Sequence, residues 1–153
     1  ISVSQEWDLA LIKINSPDKS FKALPIGSGG DLDQGQRVFA VGNPLGFERS
    51  VSEGIVSLKN RVMQGRLLIQ PTAEINPGNS GGPLLNLSGE GGGVNNMKMV
   101  AFGAEGLGVA IPAEMVKLFI DNRDAFAFDP RNPNNGFRYN KPPNATVHLD
   151  EEN

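Results

Sequence analysis

The chain has 153 residues, of which 39% are hydrophobic and 20% are charged, and its formal net charge is −3. This length and composition predict one soluble globular domain, and the net acidity argues against a general nucleic-acid binder. The absence of cysteine excludes disulfides, cysteine-ligated zinc and thiol catalysis, and a single histidine, His148, excludes a multi-histidine metal site. No apolar run is long enough to span a membrane, so we expect neither a membrane span nor a signal peptide in these residues.

Short apolar or β-branched segments, each bounded by turn residues, recur along most of the chain. They predict strands at 8–14, 37–42, 50–58, 66–70, 83–86, 98–103 and 107–112. Because helices do not alternate with these strands, the pattern predicts an all-β barrel or sandwich.

The last third of the chain changes character twice. One helix is predicted from Ala113 to about Ala125, where apolar residues keep helical spacing and Pro112 precedes the first turn. Beyond Phe128 the composition becomes rich in proline and asparagine, and the final residues are acidic. We therefore expect a domain over residues 1–128 and an extended polar tail or linker over residues 129–153.

The segment Gly78-Asn79-Ser80-Gly81-Gly82 fits the G-x-S-x-G pattern of an exposed serine nucleophile. Glycine also punctuates ordinary turns, so the pattern by itself is weak. In an α/β-hydrolase an acid and a histidine follow the serine, and Asp129 and His148 do lie later in the chain. However, the residues after Pro83 predict extended chain rather than a helix, and no parallel sheet is predicted. In a trypsin-like protease the order is instead histidine, aspartate, serine.

Four blocks of the chain, in their order and spacing, resemble the HtrA/Deg family of trypsin-like serine proteases. They are DLALIKI at 8–14, VFAVGNPLGFERSVSEGIVS at 38–57, AEINPGNSGGPLLN at 73–86 and GLGVAIP at 106–112. The resemblance covers roughly residues 5–122. It implies an all-β, trypsin-like double β-barrel, of which this chain would hold the end of the first barrel, all of the second and one C-terminal helix.

The resemblance also implies site residues. Ser80 matches the nucleophile, Asp8 matches the triad aspartate, and the main-chain N–H groups of Gly78 and Ser80 match the oxyanion hole. Glu74, six residues before Ser80, takes a position that can line the floor of the substrate pocket, where an acid would favour basic side chains. The alternative for Glu74 is a solvated loop glutamate. The family needs no metal or organic cofactor.

The chain departs from the family pattern at the general base. The family's histidine lies well upstream of the aspartate, whereas this chain begins seven residues before Asp8. His148 lies in the tail, after Ser80, and is interpreted as a solvated residue. Without a base the Ser80 hydroxyl is a poor nucleophile. We therefore expect a protease fragment that is inactive by itself, or one that pairs with an N-terminal segment supplying the histidine.

The function implied by the resemblance is that of an HtrA-type serine endopeptidase in protein quality control. It would hydrolyse peptide bonds of unfolded or extended polypeptides through an acyl-enzyme on Ser80. Family members act largely in the bacterial periplasm or other extracytoplasmic compartments and commonly form homotrimers. The competing hypothesis is a non-catalytic peptide-binding or scaffolding pseudoprotease, which the absence of a matching histidine favours and the intact GNSGGP segment disfavours.

Overall fold

The computed structural model describes residues 1–17, 20–27, 32–43, 49–99, 106–127 and 131. The chain forms two compact units, one from Ile1–Ser20 and Leu118–Asn153 and the other from Phe21–Lys117. The elements within the described residues are β1 (Ser2–Ser4), β2 (Leu9–Leu11), β3 (Arg37–Gly42), β4 (Ser50–Met63), β5 (Arg66–Pro71), β6 (Pro83–Leu85), β7 (Gly91–Met99), β8 (Gly106–Pro112), α1 (Ala113–Asp121) and a 3₁₀ turn at Arg123–Phe126.

The unit Phe21–Lys117 contains a closed antiparallel barrel with the strand order β3-β4-β5-β8-β7-β6. The ring closes where β6 returns to β3, with Phe39 paired to Leu85 and Ala40 paired to Leu84. Closure leaves no unpaired strand edge in the ring. The predicted trypsin-like all-β architecture is confirmed by this barrel and by the relatives described below.

The barrel is filled by small and branched apolar side chains. The core cluster consists of Leu32, Val38, Ala40, Val56, Ile69, Ala73, Ile75, Leu84 and Ala110. Val38, Val56 and Leu84 have no exposed surface. Because Leu84 belongs both to this core and to β6, the strand that follows the serine-containing loop is anchored in the best-packed part of the molecule.

Strand β4 is longer than predicted and reaches Met63 instead of ending at residue 58. It ends in a two-residue turn at Gln64 and Gly65, whose φ angles are 52° and 74°, and Met63 then pairs with Arg66. Positive φ at both central residues is typical of a type I′ hairpin turn, which matches the twist of the flanking strands. The polar residues 59–61 hid this extension from the hydrophobic pattern.

The prediction for β7 is wrong at its start, because the strand begins at Gly91 and not at residue 98. The glycine run is part of the ladder, and Gly93 pairs with Leu84 on one side and Pro112 on the other. A Cβ on Gly93 would lie 2.6 Å from the Ile111 carbonyl oxygen, so the neighbouring strand leaves no room for a side chain. The glycines therefore permit close strand packing rather than a loop.

The second unit contains a two-stranded antiparallel sheet, in which Ser4 of β1 pairs with Leu9 of β2. The predicted strand at 8–14 is confined to Leu9–Leu11, and β1 was not predicted. Leu9 is 8% exposed, whereas Ile12 and Ile14 are 77% and 66% exposed. Only one end of this apolar segment is covered within the described residues.

The predicted helix begins at Ala113 as expected but ends at Asp121, and the 3₁₀ turn follows. The Phe119 ring packs against Phe126 of that turn in a tilted arrangement, with 5.4 Å between ring centroids. No helix among the described residues combines the length and apolar character needed to cross a membrane. The predicted tail at 129–153, including His148, lies outside the described residues apart from Arg131. Residues 44–48 and residues 100–103 of the predicted strand 98–103 also lie outside them.

Candidate active site

Ser80 lies on a single tight turn between the barrel strands β5 and β6 and is exposed. The Asn76 carbonyl oxygen accepts hydrogen bonds from the N–H of Asn79 at 3.2 Å and of Ser80 at 3.0 Å. The next residue, Gly81, has φ +85°, a backbone conformation that residues other than glycine rarely adopt. The turn therefore presents the serine hydroxyl at the surface, as the G-x-S-x-G pattern predicts.

Asn76 engages both of the N–H groups that were predicted to form the oxyanion hole. Its side-chain Oδ1 accepts from the Gly78 N–H at 2.9 Å, and its carbonyl oxygen accepts from the Ser80 N–H. Each donor thus has an acceptor inside the loop. For the two N–H groups to meet a developing oxyanion, they must exchange these partners for the substrate oxygen.

The buried side chain of Asn79 holds the loop through two hydrogen bonds to its main chain. Its side chain is 4% exposed, its Oδ1 accepts from the Asn76 N–H at 2.9 Å, and its Nδ2 donates to the Glu74 carbonyl oxygen at 2.8 Å. The same Glu74 carbonyl accepts from the Ser52 hydroxyl at 2.7 Å. The main chain of Glu74 is therefore fixed to β4, while its side chain is exposed.

Two glycines allow the serine turn to lie directly against β3. A Cβ on Gly42 would lie 2.7 Å from the Gly78 carbonyl oxygen, and a Cβ on Gly82 would collide with the Val41 carbonyl. The Asn43 N–H donates to the Gly78 carbonyl oxygen at 3.1 Å. This close approach orients the Gly78 peptide, so β3 takes part in shaping the loop that carries the predicted nucleophile.

Asp8 belongs to the other unit, immediately before β2. It has φ 56°, which aspartate tolerates better than most residues. It is exposed, and the sheet beside it has two short strands. Gly78, Ser80 and the Glu74 main chain thus lie in one loop of the barrel unit, whereas Asp8 belongs to the other unit.

The sequence interpretation missed Asn76 and Asn79 as organisers of the site. The signal that predicts them is asparagine's tendency to bond its side chain to nearby main-chain groups, here on either side of a Pro-Gly pair. The described residues contain no cluster of three or more His, Cys, Asp or Glu side chains arranged to hold a metal ion. The chemistry available in this loop is that of a serine hydroxyl and main-chain donors.

Comparisons with known proteins place this arrangement among proteases. The profile of the family described as Trypsin-like peptidase domain matches residues 1–94. Protease Do-like 1, chloroplastic, from Arabidopsis thaliana is 38% identical over 129 residues, which cover 79% of this chain and 29% of that protein. A probable periplasmic serine endoprotease, DegP-like, from Chlamydia trachomatis is 40% identical over 126 residues, covering 79% of this chain and 25% of the relative. The solved HtrA-type protease AlgW with tripeptide has a TM-score of 0.56 at 33% identity, covering 65% of this chain and 35% of that one.

A closed antiparallel barrel with an exposed serine on a G-x-S-x-G turn defines the class of trypsin-like serine protease domains. The chain belongs to the trypsin-like peptidase domain family, and its relatives are serine proteases of HtrA type. The resemblance found in the sequence is thereby confirmed. The chain spans 29% and 25% of the lengths of the two relatives named above.

Proposed function

We propose that this chain is the nucleophile-bearing part of an HtrA-type serine endopeptidase that cleaves unfolded or extended polypeptides. The reaction proceeds through an acyl-enzyme: the Ser80 Oγ attacks the scissile carbonyl carbon, the amine leaves, and water releases the acyl group. The observation that carries the proposal is the exposed Ser80 on a turn held rigidly by the closed barrel. A scaffold would not require a serine in this position.

The oxyanion donors in this proposal are the N–H groups of Gly78 and Ser80. Both are engaged by Asn76, which supplies each of these N–H groups with an acceptor. Substrate binding replaces these internal bonds with bonds to the carbonyl oxygen of the scissile peptide. Asn76 is therefore the residue whose side chain competes with the substrate.

In this proposal Asp8 orients a histidine, and the family resemblance implies that this histidine lies on a segment preceding Asp8. Asp8 lies just before β2 of the two-stranded sheet, and Ile12 and Ile14, just after β2, are largely exposed. A sheet of this size is marginal in water. Additional strands of a first barrel would cover these side chains and restore the triad at the same time.

The experiment is labelling with a fluorophosphonate probe, which reacts with activated serines. The 153-residue chain and the full-length protein of the reading frame are compared, each as wild type, Ser80→Ala and Ser88→Ala. Ser88 is an exposed serine on the next turn of the same barrel and serves as the matched control. We expect labelling of the full-length protein that Ser80→Ala abolishes and Ser88→Ala preserves, and none of the 153-residue chain.

If the full-length protein is not labelled, the protease proposal fails and the peptide-binding alternative replaces it. Labelling of the 153-residue chain would instead show that Ser80 is activated without any upstream histidine.

Glu74 is proposed to favour substrates with a basic side chain before the cleaved bond. Its carboxylate is exposed, and its main chain is fixed by Ser52 and Asn79 next to the serine loop. Glu74→Gln keeps the shape and removes the charge, so we expect kcat/KM for Lys- and Arg-containing peptides to fall roughly 10-fold relative to Ala-containing peptides. An unchanged ratio would identify Glu74 as a solvated loop residue.

The proposed compartment is the periplasm or another extracytoplasmic one, because one relative is named as periplasmic. A homotrimer is proposed on family resemblance alone. Sedimentation of the full-length protein tests it, and a monomer would contradict it.

A further inference from the structure

We infer that Asn95 is a positioning residue for the nucleophile, acting through the three residues that follow Ser80. Its carbonyl oxygen accepts from the Gly81 N–H at 2.8 Å, and its own N–H donates to the Gly82 carbonyl oxygen at 2.8 Å. Its side-chain Nδ2 donates to the Pro83 carbonyl oxygen at 2.9 Å. One residue of β7 thus bonds to each of the three residues that follow Ser80. This role rests on the proposed protease function.

Side-chain packing does little to hold this segment. Gly81 and Gly82 have no side chains, and together with Pro83 they line a cavity of about 200 Å³ whose other walls include Leu24, Ile26 and Val116. Apolar atoms on the far side of a cavity make no dispersion contact with the segment. The chain between Ser80 and β6 is therefore held by its hydrogen bonds to Asn95, by the Gly82 N–H bond to the Asn79 carbonyl oxygen at 3.0 Å and by the close approach of Gly82 to β3.

If stability were the only requirement, an asparagine at this position would be unfavourable. Asn95 is 1% exposed and pairs in register with Ala110, which belongs to the apolar core of the barrel. Its Oδ1 is buried and has no hydrogen-bond partner among the residues that the structure describes. Burying an amide oxygen without a donor costs stability, so an apolar side chain of similar volume would suit a merely structural position better. The carboxamide is explained by what its Nδ2 does for Pro83.

The connection to catalysis is geometric. Ser80 is held on its N-terminal side by Asn76 and on its C-terminal side, through Gly81, by Asn95. The Asn95 side chain supports the second restraint from Pro83, since the two main-chain bonds do not depend on residue type. If the Nδ2 bond to Pro83 is lost and the segment loosens, the Ser80 Oγ and its N–H shift relative to the scissile carbonyl. Misplacement of a reacting group by about 1 Å can cost roughly 100-fold in rate. Substrate binding along the barrel would be little affected.

The test is Asn95→Leu in the full-length protein, with Asn86→Leu as the matched control. Asn86 is a buried asparagine of the same barrel whose Oδ1 accepts from the N–H groups of Ser88 and Glu90, so it organises the next turn. Steady-state cleavage of a peptide gives kcat and KM, and amide hydrogen exchange is measured by mass spectrometry over residues 80–85. We expect Asn95→Leu to lower kcat roughly 10- to 100-fold with KM within about 2-fold, and to speed exchange at 80–85. Asn86→Leu should do neither.

If Asn95→Leu does not fold, Asn95→Ser, whose hydroxyl is too short to reach the Pro83 carbonyl, is measured in the same way. Unchanged kcat and exchange in a folded Asn95 variant would overturn the inference, as would equal losses in Asn86→Leu. If the wild-type protein cleaves nothing, the protease proposal fails, whereas the exchange comparison still decides whether Asn95 restrains residues 80–85.

Discussion

The two units of this chain differ in how completely their strands are paired and their apolar side chains are buried. The unit that carries Ser80 is a closed barrel whose apolar side chains meet in one core. The unit that carries Asp8 has a two-stranded sheet with Ile12 and Ile14 exposed. A closed ring has no free edge, whereas the two-stranded sheet is extended only by a single bridge between Ser2 and Ala127, so the barrel is expected to be far more stable. The proposed nucleophile is thus carried by a closed barrel, and the proposed triad acid lies beside a small two-stranded sheet.

The largest effect should come from a core truncation in the barrel. Leu84→Ala removes a side chain with no exposed surface, and we expect it to lower the free energy of unfolding by about 3 kcal/mol. Leu9→Ala in the two-stranded sheet should cost less than about half as much, since fewer neighbours surround it. Urea denaturation of the 153-residue chain measures both. Equal losses would show that the two units are equally well packed.

A smaller effect is expected from alanine at glycines with positive φ. Gly81 and Gly35 have φ +85° and +87°, and a Cβ on either would meet no atom within 4 Å. The backbone cost should therefore be similar, about 1–2 kcal/mol for each alanine variant. Only Gly81→Ala should also slow fluorophosphonate labelling of the full-length protein, because Gly81 follows Ser80. Comparable slowing in Gly35→Ala would mean that stability alone governs reactivity.

The smallest effect in the 153-residue chain should come from Ile12→Ser. The side chain is 77% exposed, so we expect a change within about 0.5 kcal/mol. In the full-length protein, where additional strands are proposed to cover Ile12, the loss should rise to about 1.5–3 kcal/mol. Val62→Ser, at a position 68% exposed near the β4–β5 turn, is the control and should be neutral in both proteins. Neutrality of Ile12→Ser in the longer protein would argue against a covering first barrel.

Local pattern was sufficient for several elements. The predicted strand at 37–42 coincides with β3, and α1 begins at Ala113 as expected. Alternation of buried and exposed residues and a proline before the first helical turn are short-range features, so the sequence carries them directly. The exposed serine turn was predictable for the same reason, because Gly81 supplies the positive φ that the turn requires.

The sequence by itself determined the strand-rich class, the serine turn and the family, since each depends on residue types at short, fixed spacings. Only the tertiary structure decided that the glycine run at 91–93 is a strand, that Asn76 engages both predicted oxyanion donors, and that Asn95 holds the chain after Ser80. The physical reason is distance along the chain: Asn95 and Pro83 meet only because β6 and β7 pair in the barrel. A hydrogen bond between residues on different strands does not change the spacing of apolar residues in either segment, so the sequence pattern does not reveal it.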